Sequence, residues 1–150
     1  MYRQKTWVLA FLLLFAAGAV PAAADGPFQF FPLTPCRAVD TRTGFGGALT
    51  ENTVRTFTVQ GVCGVPSGAK AVAGNVTVFQ PTAKGHLRVY PSNIATPLVA
   101  TITYAGGETA VANGAIVPLA TSTPDLAVFT YFVAAGNNTH FILDVTGYFQ

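Results

Sequence analysis

The chain has 150 residues, of which 51% are hydrophobic and only 9% charged, with a formal net charge of +2. That length suits one domain rather than two, and so few cations form no basic stripe able to follow a phosphate backbone, which excludes nucleic acid as a partner. Two cysteines, Cys36 and Cys63, allow a single disulfide.

In chain order, the first element is an export signal. Arg3 and Lys5 precede an apolar run from Trp7 to Val20, and Ala22-Ala23-Ala24 supplies a small-residue cleavage site. This pattern predicts a signal peptide over 1–24 and a mature chain over 25–150. The apolar run is about fourteen residues long against the ~20 that span a bilayer, so no membrane span is expected in the mature chain. Removing Arg3 and Lys5 leaves Arg37, Arg42, Arg55, Lys70, Lys84 and Arg88 against Asp25, Asp40, Glu51, Glu108, Asp125 and Asp144, a formally neutral product. Export also makes a Cys36 to Cys63 disulfide the expectation over a free catalytic thiol; it would close a loop of about 28 residues, worth about 3 to 4 kcal/mol.

The mature sequence is rich in Val, Thr, Phe and Tyr, broken by Gly and Pro, without a 3.6-residue apolar period. Strands are therefore predicted throughout. Two short ones open the domain, at 28–33 and 37–40. Segment 54–59 sets Arg55, Phe57 and Val59 on one face. Segment 71–80 sets Val72, Val76 and Val78 on one face and is followed, after Pro81 to Gly85, by 86–90; the turn reads as a hairpin. A second pair, 97–104 and 109–119, flanks Ala105-Gly106-Gly107, with Pro118 at a strand end or edge. A third, 126–133 and 140–149, is joined by AAGNNT, and Phe141, Leu143 and Val145 form a wholly apolar face. The count of about eight or nine strands predicts an all-β, single-domain antiparallel β-sandwich, with a closed barrel or a prism-like β-fold as alternatives.

Chemistry concentrates in TPCRAVDTRTGFGG, residues 34–47. Asp40 and Asp144 are the pair of carboxylates a glycosidase would need about 5 to 10 Å apart across a cleft. The competing reading is a structural clasp in which Arg37 and Arg42 neutralise them and fix a Gly-rich turn. Gly44-Phe45-Gly46-Gly47 lacks the Lys-Ser/Thr ending of a phosphate loop, and acidic residues are too sparse for a calcium loop. Ser67, Ser92 and Ser122 sit in turn contexts without a nucleophile elbow. His86 and His140 stand singly, without a second ligand at i+2 or i+4, so neither a metal nor another cofactor is expected. Asn75 and Asn137 begin glycosylation sequons. Tyr90, Tyr104 and Tyr131 are the candidate ligand-binding residues for stacking on sugar rings, with Tyr148 a further exposed-aromatic candidate. Phe28, Phe30 and Phe31 form a candidate assembly strand that would add to a neighbour's sheet edge, the alternative being the first strand of the domain's own sheet.

Four segments in order, FFPLTPCRAVDTRTGFGG, GVCGVPSGAKAVAGNVTVFQPTAKGHLRVYP, GGETAVANGAIVPL and THFILDVTGYF, resemble a secreted bacterial β-domain common in actinobacterial and other soil-bacterial exported proteins. That family begins on TP-x-R-x-x-DTR and closes on DV-x-GYF, and the resemblance covers residues 30–149. It implies an accessory or surface module, found alone, in tandem or appended to exported enzymes, with no catalytic residues assigned. The expected function is thus a secreted, non-catalytic structural, adhesive or assembly module of the cell surface or extracellular space. Its partners would be itself, other surface proteins or polysaccharide. The alternatives are a carbohydrate-binding module and, further off, a glycan hydrolase.

Overall fold

Alternating apolar residues build nine strands, β1 (Phe30–Asp40), β2 (Leu49–Thr50), β3 (Thr53–Phe57), β4 (Ala71–Phe79), β5 (Gly85–Pro91), β6 (Ile102–Tyr104), β7 (Ala110–Pro118), β8 (Leu126–Phe132) and β9 (Asn138–Phe149). The computed structural model describes residues 26–150; the expected signal peptide lies outside the described residues. The strands form two antiparallel sheets, one ordered β1-β9-β4-β7 with β2 also paired to β9, the other ordered β3-β8-β5-β6. This is the expected β-sandwich, and neither sheet closes into a barrel. Among the described residues, no helix is long and apolar enough to cross a membrane.

The core lies between the sheets and contains the residues whose alternation marked them. Val72, Val76 and Val78 of β4 and Phe141, Leu143 and Val145 of β9 are fully buried, and they face Leu87 and Val89 of β5 and Val128 of β8. Burying such side chains contributes about 1.5 to 3 kcal/mol each. The disulfide forms as expected, Cys36 to Cys63 with Cα atoms 5.7 Å apart, and ties β1 to the connection between β3 and β4.

All three expected hairpins are corrected. β4 and β5, β6 and β7, and β8 and β9 lie in opposite sheets, so each turn is a crossover. Alternation reports which face of a strand is buried, and a hairpin and a crossover bury the same face. The hydrogen bonds of these turns go to one another instead of across their own arms: Gly107 N–H donates to Pro81 O at 2.8 Å, Thr82 N–H to Asn138 O at 3.0 Å and Val133 N–H to Lys84 O at 3.1 Å. Gly106 permits the interlock, since a Cβ there would sit 2.8 Å from Ala83 Cα.

Strand limits shift for local reasons. The two expected opening strands are one, β1, whose register against β9 slips between Pro32 and Cys36 and again between Arg37 and Val39; prolines at 32 and 35 have no N–H to place in a ladder. β3 stops at Phe57 because the next amides turn to a side chain: Val59 and Gln60 N–H donate to Asp125. β6 starts only at Ile102, residues 92–101 forming a loop.

Candidate functional site

The second slip in β1 creates the acid–base cluster. In an undisturbed strand, residues three apart face opposite sides. Here Arg37 opposes Asp144 while Val39 opposes Leu143, so Ala38 is an extra residue that returns Asp40 to the outer face beside Arg37. Arg37 then bridges both carboxylates. Its Nε donates to Asp144 Oδ1 at 2.7 Å, its Nη2 to Asp144 Oδ2 at 3.0 Å and its Nη1 to Asp40 Oδ2 at 3.3 Å. Arg42 grips Asp40 from the other side, with Nε 2.9 Å from Oδ1, Nη2 2.7 Å from Oδ2, and its own backbone N–H 3.0 Å from Oδ1. The Arg42 guanidinium also lies 4.9 Å from the centroid of the Phe79 ring.

The chain Asp144–Arg37–Asp40–Arg42 therefore satisfies its charges internally. The hydrogen bonds from Arg42, above all other causes, hold the Asp40 carboxyl down from its ordinary 3.8 to about 2. The carboxylate is the form that the fold stabilises. Since the folded value is depressed, this contribution is complete above the unfolded value and is lost as pH falls through the folded one. Acid titration should remove at most about 2 kcal/mol of stability between about pH 4 and pH 2; denaturant unfolding across that range measures it.

Around this cluster the segment closes on itself. Buried Thr41 accepts from Phe141 N–H at 2.9 Å, and its hydroxyl is hydrogen-bonded to His140 Nδ1 at 3.2 Å, which gives His140 a partner within the segment. The Gly-rich turn is held by Arg55, whose guanidinium donates to the carbonyls of Phe45, Gly47 and Ala48 at 3.2, 2.6 and 3.1 Å. The sequence set Arg55 only on one strand face with Phe57 and Val59, and an arginine on the face of buried Phe57 must find acceptors. Asp125 was missed altogether. It is fully buried and accepts from Val59 N–H at 2.9 Å and Gln60 N–H at 2.8 Å. Gln60 continues the network, donating to Ala120 O at 2.8 Å and accepting from Gly68 N–H at 3.0 Å.

The three candidate tyrosines do not share a surface. Tyr90 is only 4% exposed and its hydroxyl meets Thr96 Oγ1 at 2.7 Å, beneath the loop between β5 and β6. Tyr104 is 5% exposed and packs edge-on against Phe132, and burial raises its phenol above the ordinary value. Both are thereby removed as sugar platforms. Tyr131 is 37% exposed on the outer face of β8, stacked on His86 of β5 with centroids 4.9 Å apart. Beside it Arg88 donates from Nε to His86 Nε2 at 3.1 Å and lies 5.1 Å over Phe129. Burial, then the Arg88 charge, lowers the His86 value below that of a free imidazole.

Phe30 and Phe31 pair with β9 of their own chain, their rings 5.2 Å from Phe149 and 5.1 Å from Tyr148, while Lys70 Nζ lies 5.9 Å over Phe28. Of the serines, Ser92 donates to Pro124 O in a turn. Asn137 ties the β8–β9 turn, accepting from Thr82 Oγ1 at 2.9 Å and donating to Ala134 and Ala135 carbonyls. Among the described residues, no group of three His, Cys, Asp or Glu side chains is placed to hold a metal. Compared with known proteins, the chain matches no family model and no curated sequence.

Proposed function

We propose that this chain is an exported, non-catalytic β-sandwich module with a structural or adhesive role at the cell surface or in the extracellular space. The observation that carries the reading is how Asp40 is held. A glycosidase acid must hold a proton near neutral pH, which requires a raised value. Asp40 is instead held at about 2, and Arg37 occupies the space between it and Asp144. The basic-apolar-small N-terminus and the disulfide support export, and the resemblance to secreted surface modules points the same way.

A second reading, carbohydrate recognition, is favoured by one feature, the outer cluster of Tyr131, His86, Arg88 and Phe129 on a rigid sheet. The two readings and the hydrolase separate in one experiment. The mature chain is incubated with insoluble peptidoglycan, cellulose and chitin, and bound protein and released reducing sugar are both measured. The structural reading expects no sugar release and no binding that depends on Tyr131. Carbohydrate recognition expects about tenfold weaker retention for Tyr131→Ala, with Tyr90→Phe and Tyr104→Phe unchanged. Sugar release abolished by Asp40→Asn would overturn the non-catalytic reading.

A further inference from the structure

β7 is the outer strand of its sheet and pairs on one side with β4. Two bonds flanking this pairing, Gln80 N–H to Thr109 O at 3.0 Å and Leu119 N–H to Lys70 O at 2.8 Å, fix its parity. In an antiparallel ladder successive residues direct their main-chain groups to opposite sides. Odd-numbered residues of β7 thus face β4, and Ala110, Ala112, Gly114 and Ile116 turn their N–H and C=O groups to the free edge.

The strand reads AVANGAIVP and carries no charge along its nine residues. A long, uncharged edge is a template for strand pairing, and proteins blunt such edges with prolines, bulges, charges or brevity. Each other outer strand is blunted in that way. β1 has Pro32, Pro35, two register slips and Arg37; β2 has two residues; β3 is five residues long and includes Arg55; β6 has three residues. Beside β7 the sandwich stays open, with a hollow of about 300 Å³ between residues 100–103 and 111–113. Across the hollow Asn113 Nδ2 donates to Thr101 O at 3.0 Å.

We propose that β7 pairs antiparallel with β7 of a second copy of this chain, across a twofold axis at Asn113. In that register Ala110 meets Ile116 of the partner and Ala112 meets the partner's Gly114, so every outward N–H and C=O finds a partner. Pro118, which has no N–H, falls beyond the ladder. Centring the pair on Gly114 instead would set Ala110 against Pro118 and lose a donor. A twofold pairing brings each strand against its own sequence, and a strand without charge meets no repulsion in doing so. The two Asn113 residues are neighbours at the axis, and each carboxamide, beyond its bond to Thr101 O, keeps one Nδ2 hydrogen and its Oδ1 to offer the other. A second copy suits this edge because the strand is its own complement in hydrogen bonding, in charge and in the register that its proline selects.

The pairing stands apart from the adhesive reading, and sugar release or failure to bind cell-wall material would leave it intact. Its test is sedimentation velocity of the mature chain over a concentration series, with amide exchange read at both ends of the series. The expected result is a reversible dimer, with the amides of Ala110, Ala112, Gly114 and Ile116 protected only at high concentration. Gly114→Pro removes an N–H that the monomer does not use, and a Cβ there meets nothing within 4 Å. It should give a folded monomer, as should Ala112→Lys, whereas Pro118→Ala should dimerise as the parent does. Should Gly114→Pro fail to fold, Ala112→Lys decides. A parent chain that stays monomeric at every concentration, or a dimer that survives Ala112→Lys with those amides exposed, overturns the proposal.

Discussion

Replacing Cys36 and Cys63 together with alanine is expected to lower the unfolding free energy by about 3 to 4 kcal/mol. The bridge spans 27 residues of sequence, and in the chain-entropy account its loss frees a loop of that length in the unfolded state. The location makes this loss hard to offset. Between β3 and β4 the chain forms no strand, yet Val59 and Val65 are buried there. Besides the bridge, this connection is held by turn bonds such as Gly61 N–H to Val65 O at 2.8 Å and by the Asp125 carboxylate. Equilibrium denaturation of the parent and the double variant in guanidinium measures the difference. A loss below about 1 kcal/mol would mean that the connection is fixed without the bridge.

Asp125→Ala should cost nearly as much, about 3 kcal/mol, for a different reason. Its carboxylate is the only described acceptor of the Val59 and Gln60 amides, and a buried donor left without a partner costs about 1 to 3 kcal/mol. Its backbone adds to the same joint, Asp125 N–H donating to Phe57 O at 3.1 Å and Ala120 N–H to Asp125 O at 2.9 Å, and these bonds survive the substitution. Asp125→Asn should lose almost as much as alanine, because its amide group turns a donor toward a donor. Near-parental stability for Asp125→Asn would show that the two amides find another acceptor.

The parts of the fold legible in the sequence were those carried by local periodicity. Val72, Val76 and Val78, and Phe141, Leu143 and Val145, were each set on one face by alternation alone, and in the structure those faces are the buried ones of their strands. Pairing was not legible, because a turn such as Pro81 to Gly85 can join neighbours in one sheet or cross between two. What decides is the contact of that turn with Gly107 and Asn138, far away in sequence. The acid–base cluster was legible as residue types but not as geometry: Arg37 and Asp40 share a face only because Ala38 bulges. Tyr90 and Tyr104 were misread as surface groups, since a tyrosine at a strand end looks the same whether a loop covers it or not. Asp125 escaped notice because a lone aspartate after proline resembles any turn residue, and its donors lie 65 and 66 positions away.

The central claim is that the segment TPCRAVDTRTGFGG is a clasp whose Asp40 acts by binding Arg37 and Arg42. It is tested most directly by the stability of Asp40→Asn and the parent side by side from pH 7 to pH 2. The clasp predicts that the variant is the less stable by about 1 to 3 kcal/mol at pH 7 and that the gap closes as the parent's Asp40 is protonated toward pH 2. A gap that is absent at pH 7, together with loss of a bound glycan or of sugar release in the variant, would contradict it and return the segment to the role of an active site.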